Sequence, residues 1–81
     1  MTTVHPHIQT GIYEHYKGNL YEVYGLCRHS ESEEVLVVYR TLYGDYDLWV
    51  RPLAMFVESI DRDGIKIPRF KWIADTKNNL P

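Results

Sequence analysis

Val35-Leu36-Val37-Val38-Tyr39-Arg40-Thr41-Leu42-Tyr43 is the most strand-like run in the chain. Its β-branched and aromatic residues suit a pleated, half-buried surface. A polar, acidic stretch precedes it, His29-Ser30-Glu31-Ser32-Glu33-Glu34, and Gly44-Asp45-Tyr46-Asp47 follows. Both flanks carry turn chemistry, so the run reads as one strand between two hairpin connections. Before this run, residues 20–28 form the preceding strand, and Lys17-Gly18-Asn19 turns back to a first strand over residues 11–16. On the other side, residues 48–51 form a fourth strand that stops at Pro52, which has no N–H to give to a ladder.

Leu53-Ala54-Met55-Phe56 is too short and too apolar for a free helix, and reads as one buried helical or 3₁₀ turn. A fifth strand over residues 57–61 leads to Arg62-Asp63-Gly64, where Asp-Gly signals a hairpin. Residues 65–73 give a last strand interrupted at Pro68. Short strands at this spacing predict an all-β fold, a small barrel of five or six strands with one short helical turn, because closure removes exposed edges.

Side-chain parity divides each strand into two faces. In the second strand Tyr21, Val23 and Cys27 share one face, and Leu20, Tyr24 and Leu26 the other. In the third, Leu36, Val38 and Leu42 oppose Val35, Val37, Tyr39 and Tyr43. Both faces carry bulk, and the Leu36, Val38, Leu42 face is expected to be the core.

A chain of 81 residues is one domain. At that size only about 60–65% of the unfolded surface is buried, so large side chains must supply the core. Seven Tyr, two Trp and two Phe do so. Residues 10–74 are expected to form the domain, with a loose arm over 1–9 and a frayed tail over 75–81. The lone cysteine, Cys27, has no internal partner for a disulfide. No signal-peptide pattern and no apolar run near the ~18–20 residues of a bilayer span is present. A cytoplasmic setting away from the membrane is expected. The formal net charge of −2 weighs against a domain devoted to phosphate backbones.

Candidate chemistry is sparse. Cys27 and His29 are two apart, about 6–7 Å on an extended strand, too far for a thiol–imidazole bond. His5, His7 and His15 match no recurrent zinc spacing. Glu31, Glu33 and Glu34 lack calcium-loop spacing and read as a solvated hairpin. Gly25 and Gly44 sit in no phosphate-cradling turn. The expectation is no catalytic residue, no metal and no cofactor.

Residues 39–52 hold the strongest signal: four aromatics and two arginines in one stretch. Trp49 and Arg51 share a strand face, the composition of a recognition surface. The competing account has Trp49 in the core and Arg51 paired with Asp45 or Asp47. His15, Lys17, Arg28 and Arg40 are further polar side chains beside aromatics or at strand ends. Together with Trp49 and Arg51 they are the candidate ligand-binding residues, suited to an acidic or aromatic group.

The strings Gly11-Ile12-Tyr13-Glu14-His15-Tyr16-Lys17-Gly18-Asn19-Leu20-Tyr21, Arg28-His29-Ser30-Glu31, and Tyr39-Arg40 through Arg51-Pro52-Leu53-Ala54-Met55-Phe56 carry a resemblance. The chain resembles the small bacterial domain-of-unknown-function family 1653, over about residues 10 to 73. The resemblance implies an SH3-like barrel and brings no catalytic residues with it. The functional expectation is a non-catalytic binding or adaptor module for a protein or peptide, with a second copy of the chain also open. Nucleic-acid or small-anion binding, or an enzyme with a His-containing pocket, are the alternatives.

Overall fold

A computed structural model of the chain describes residues 7–76. Its elements are β1 Gly11–His15, β2 Leu20–Arg28, β3 Val35–Thr41, β4 Leu48–Pro52, α1 Leu53–Phe56, β5 Ser59–Arg62, β6 Ile65–Pro68 and β7 Phe70–Ala74. The expected arm and tail fall partly on residues 1–6 and 77–81, outside the described residues, as does His5. Among the described residues no helix is long and apolar enough to cross a membrane.

The expected turns all form, but the helical turn α1 buries Phe56 and leaves Ala54 and Met55 exposed rather than being buried as a whole. Asp63 and Gly64 both take left-handed backbone, at φ 55° and 81°, as a two-residue hairpin between right-twisted strands requires. Pro68 ends β6 where the interruption was expected. Pro52 enters α1 with φ −52°, and the Val57 N–H closes the single turn on the Leu53 carbonyl at 3.0 Å.

The architecture is all-β but not a closed barrel. Five antiparallel strands make one sheet in the order β4-β3-β2-β1-β7, and β5-β6 make a second. Among the described residues there are seven strands rather than five or six, because Pro68 divides the last one. The outer strands β4 and β7 approach through side chains instead of a backbone ladder. Arg51 of β4 lies over the Phe70 ring of β7, 5.4 Å from its centroid. Phe56 of α1 stacks on Phe70 at 4.2 Å, with the rings 3° from parallel. Bulky side chains fill the space that hydrogen-bonded closure would need.

The core is a cluster of rings, Tyr13, Tyr21, Tyr39, Phe56 and Phe70, with Val23 and Val37. Edge-on contacts join them: Tyr13 to Phe56 at 5.3 Å, Tyr21 to Phe70 at 5.4 Å, Tyr21 to Tyr39 at 5.5 Å. Such pairs contribute about 0.5–1.5 kcal/mol each beyond their buried area.

This cluster corrects the expected register. The core face of β3 is that of Val37 and Tyr39, not that of Leu36, Val38 and Leu42. Leu36 is buried outside the cluster, and Val38 and Leu42 are half-buried. Parity along β2 also breaks. Val23 pairs with Tyr39 and Gly25 with Val38, so Tyr24 is an extra residue in a β-bulge. A bulge of one residue reverses the faces beyond it. Leu26, opposite Val37, therefore joins the core, and Cys27 leaves the Tyr21–Val23 face.

Candidate ligand-binding site

The hairpin of β3 and β4 builds the site. Tyr39 pairs with Trp49 and Val37 with Arg51, so Trp49 and Arg51 stand on the core side of the sheet. There the sheet runs out. Tyr39 is 7% exposed but Trp49 is 53% exposed. Between them lies an open cleft of about 250 Å³, lined by Tyr21, Tyr39, Thr41, Tyr43, Asp45, Asp47, Trp49 and Arg51 with Gly44. Tyr21 and Tyr39 form its buried floor, and Trp49 and Tyr43 are half-exposed walls.

The connection between β3 and β4 carries the acidic side of the cleft. Gly44 and Tyr46 both take left-handed backbone, at φ 62° and 57°, an unusual conformation for a tyrosine. It is held from two sides. The Tyr46 N–H donates to the Tyr43 carbonyl at 3.2 Å, and Arg40 donates through Nη1 to the Tyr46 carbonyl. The Tyr21 and Tyr43 hydroxyls meet at 3.0 Å. Burial first, and then that bond, push the Tyr21 hydroxyl up to about 12, so it stays protonated at neutral pH.

The basic side of the cleft is Arg51. Its Nε is buried and has no hydrogen-bond partner. Among the described residues the ion pair formed is Arg69 with Glu58 at 2.8 Å, so Arg51 does not pair with Asp45 or Asp47. His15 adjoins this end, its ring 6.3 Å from that of Tyr21 and 5.0 Å from that of Phe70. Its Nδ1 accepts the Lys17 N–H at 3.2 Å. Desolvation, then the nearby charges of Arg69, Arg51 and Lys17, hold its pKa below the ordinary 6.5.

A family model described as a protein of unknown function (DUF1653) matches residues 11–72, most of the chain. The chain belongs to this family. A crystal structure of a DUF1653 protein from Bordetella bronchiseptica is similar to it, with TM-score 0.77 and 35% identity, covering 85% of this chain and 91% of that one. No curated protein matches the chain.

The six candidate residues of this DUF1653 domain do not form one patch. Trp49 and Arg51 share the cleft, with His15 beside it. Lys17 lies with His15, its ammonium 5.7 Å from the Tyr16 ring. Arg28 is at the far end of β2, where it donates to the Glu33 carbonyl at 2.9 Å and steadies the 29–34 hairpin. Arg40 is on the opposite face of β3. Its Nε donates to the Tyr24 hydroxyl at 3.0 Å, which donates to Glu22 at 3.2 Å. Arg40 therefore acts on the cleft indirectly, through the loop carbonyl that it holds.

Cys27 is a free thiol. His29 Nδ1 accepts the N–H groups of Glu31 and Ser32 at 3.1 and 3.3 Å, so His29 organises its own loop. No group of metal-ligating side chains occurs among the described residues. A second cavity of about 430 Å³ lies by Glu14, His15, Tyr16, Ile67, Pro68 and Lys71. It is larger and more apolar, but lacks the tyrosine floor and exposed indole of the Trp49 cleft.

Sequence reasoning reached Trp49 and Arg51 but not the tyrosine floor. The signal was available: pairing the hairpin so that Arg40 meets Leu48 puts Tyr39 opposite Trp49.

Proposed function

We propose that this DUF1653 domain is a non-catalytic binding module that takes a protein or peptide segment at the Trp49–Arg51 cleft. The observation that carries this reading is the pairing of an exposed indole with an arginine whose charge meets no carboxylate among the described residues. Exposed aromatic and arginine side chains at the rim of a preformed cleft are the commonest anchors of protein recognition. The cleft also opens beside a sheet edge. β4 is the outermost strand, and Leu48, Trp49 and Val50 are each more than half exposed along it. Along Leu48–Val50, short of the Arg51–Phe70 contact, the edge can accept an extended chain, with side chains entering the neighbouring cleft. The free thiol of Cys27 suits a reducing cytoplasm.

The test is selection of peptides from a displayed random library on the folded domain. Selected peptides should bind saturably, and Trp49→Ala should abolish binding while keeping a cooperative melt. Peptides that bind Trp49→Ala as well as the natural domain would place the binding surface elsewhere.

A further inference from the structure

The Trp49 cleft has an ordered polarity. Asp47, Trp49 and Arg51 are alternate residues, and alternate residues of an extended strand share a face. Asp47 directly precedes β4, its carbonyl accepts the Thr41 N–H at 3.2 Å, and it lines the same cleft as Trp49 and Arg51. The three thus make a row of acid, ring and base, with Asp45 beside the acid. At ~3.3 Å per residue the Cα atoms of Asp47 and Arg51 are roughly 13 Å apart. That spacing explains why the opposite charges have not closed on each other. Neither aspartate carboxylate has an ion-pair or hydrogen-bond partner among the described residues, and Arg51 has no ion pair. The Phe70 ring beneath Arg51 fixes the guanidinium in place.

The complement of this row is an anion, an apolar stem and a cation. We infer that the cleft binds the carboxyl terminus of a polypeptide whose last residue is lysine or arginine. This rests on the proposed function and names the chemistry of the bound segment. The terminal carboxylate meets the Arg51 guanidinium, a geometry that arginine favours for carboxylates. The aliphatic stem crosses the Trp49 ring, and the terminal cation meets Asp45 and Asp47. A lysine side chain carries its ammonium on a four-carbon stem away from its own carboxylate, and one charged hydrogen bond of about 2.8 Å at each end lengthens that reach toward the Asp47–Arg51 spacing. The volume agrees. About 250 Å³ is smaller than the ~300–1,000 Å³ of a drug-sized ligand site, and suits one long residue.

Three synthetic octapeptides of one sequence test this by calorimetry: one ending in lysine with a free carboxylate, its carboxamide, and one with norleucine in place of lysine. The first should bind, and each of the others should bind about tenfold more weakly or worse, the size of one lost charged hydrogen bond. Asp47→Asn should erase the preference for lysine over norleucine, and Arg51→Gln the preference for acid over amide. The peptide arms need no altered protein, so a misfolded Arg51→Gln domain leaves the test intact. Equal binding of the three peptides, or none at millimolar concentration, overturns the inference. If library-selected peptides still require Trp49 but lack a basic carboxyl terminus, the proposed function stands and this inference falls.

Discussion

The two tryptophans sit on opposite edges of the same five-stranded sheet, Trp72 on β7 and Trp49 on β4. Trp72 is built into the fold. Its Nε1 donates to the Thr10 carbonyl at 3.1 Å, and it closes over Gly11, where an added Cβ would stand 2.8 Å from the indole nitrogen. Trp49 is 53% exposed against 37% for Trp72, and its indole N–H meets no acceptor among the described residues. An indole that has spent its hydrogen bond within the chain serves stability. One that keeps it faces outward, beside charges that are also unspent. The contrast separates the edge of this DUF1653 domain that is tied into the fold from the edge to which recognition is proposed.

The strongest way to break that contrast is at Gly11. Gly11 has φ 133° and its Cβ position is occupied by the Ala74 carbonyl as well as by Trp72. Gly11→Ala should destabilise the domain by about 2 kcal/mol or more, since backbone strain and steric overlap add. Urea denaturation measures it. A loss below about 0.5 kcal/mol, the size of a neutral surface change, would show that the β7 edge is slack.

A sharper comparison exchanges each indole for phenyl. Trp72→Phe keeps a ring but leaves the Thr10 carbonyl without its donor, and should lower stability by about 1 kcal/mol. Trp49→Phe should stay within about 0.5 kcal/mol and act on peptide binding instead. Equal losses in thermal melts would mean that the two edges are built alike.

The smallest effect is expected at His15, near the junction of the two regions. Its folded pKa lies below the ordinary 6.5 because of desolvation and the charges of Arg69, Arg51 and Lys17. The folded state therefore favours the neutral ring. The stability this gives is present above pH 6.5 and fades as pH falls below it, where the unfolded chain takes up the proton first. Between pH 7.5 and 5, His15→Gln should lose less Tm than the natural chain. A larger fall in the variant would place the pH sensitivity elsewhere.

Much of this was legible in the chain itself. Local chemistry set the elements: Lys17-Gly18-Asn19, Asp63-Gly64, Pro52 and Pro68 mark turns and strand ends whatever surrounds them. Trp49 and Arg51 were also legible, because parity on one short strand needs no tertiary information. The face of β3 that became core was not. Val35-Leu36-Val37-Val38 is apolar on both sides, so only the bulge at Tyr24 and the rings of Phe56 and Phe70, brought from distant segments, decided between them.

The same limit applies to the cleft. Local residue chemistry set the strands, the turns and the aromatic, charged character of residues 39–52. Tertiary structure decided which of six candidate side chains meet. It put Arg40 on the far face of β3, Arg28 at the far end of β2, and Tyr21 under Trp49. It also left the sheet open, since Phe56, Phe70 and Arg51 fill the gap between β4 and β7. Backbone pattern is local, whereas the packing of large rings depends on which segments reach the same place.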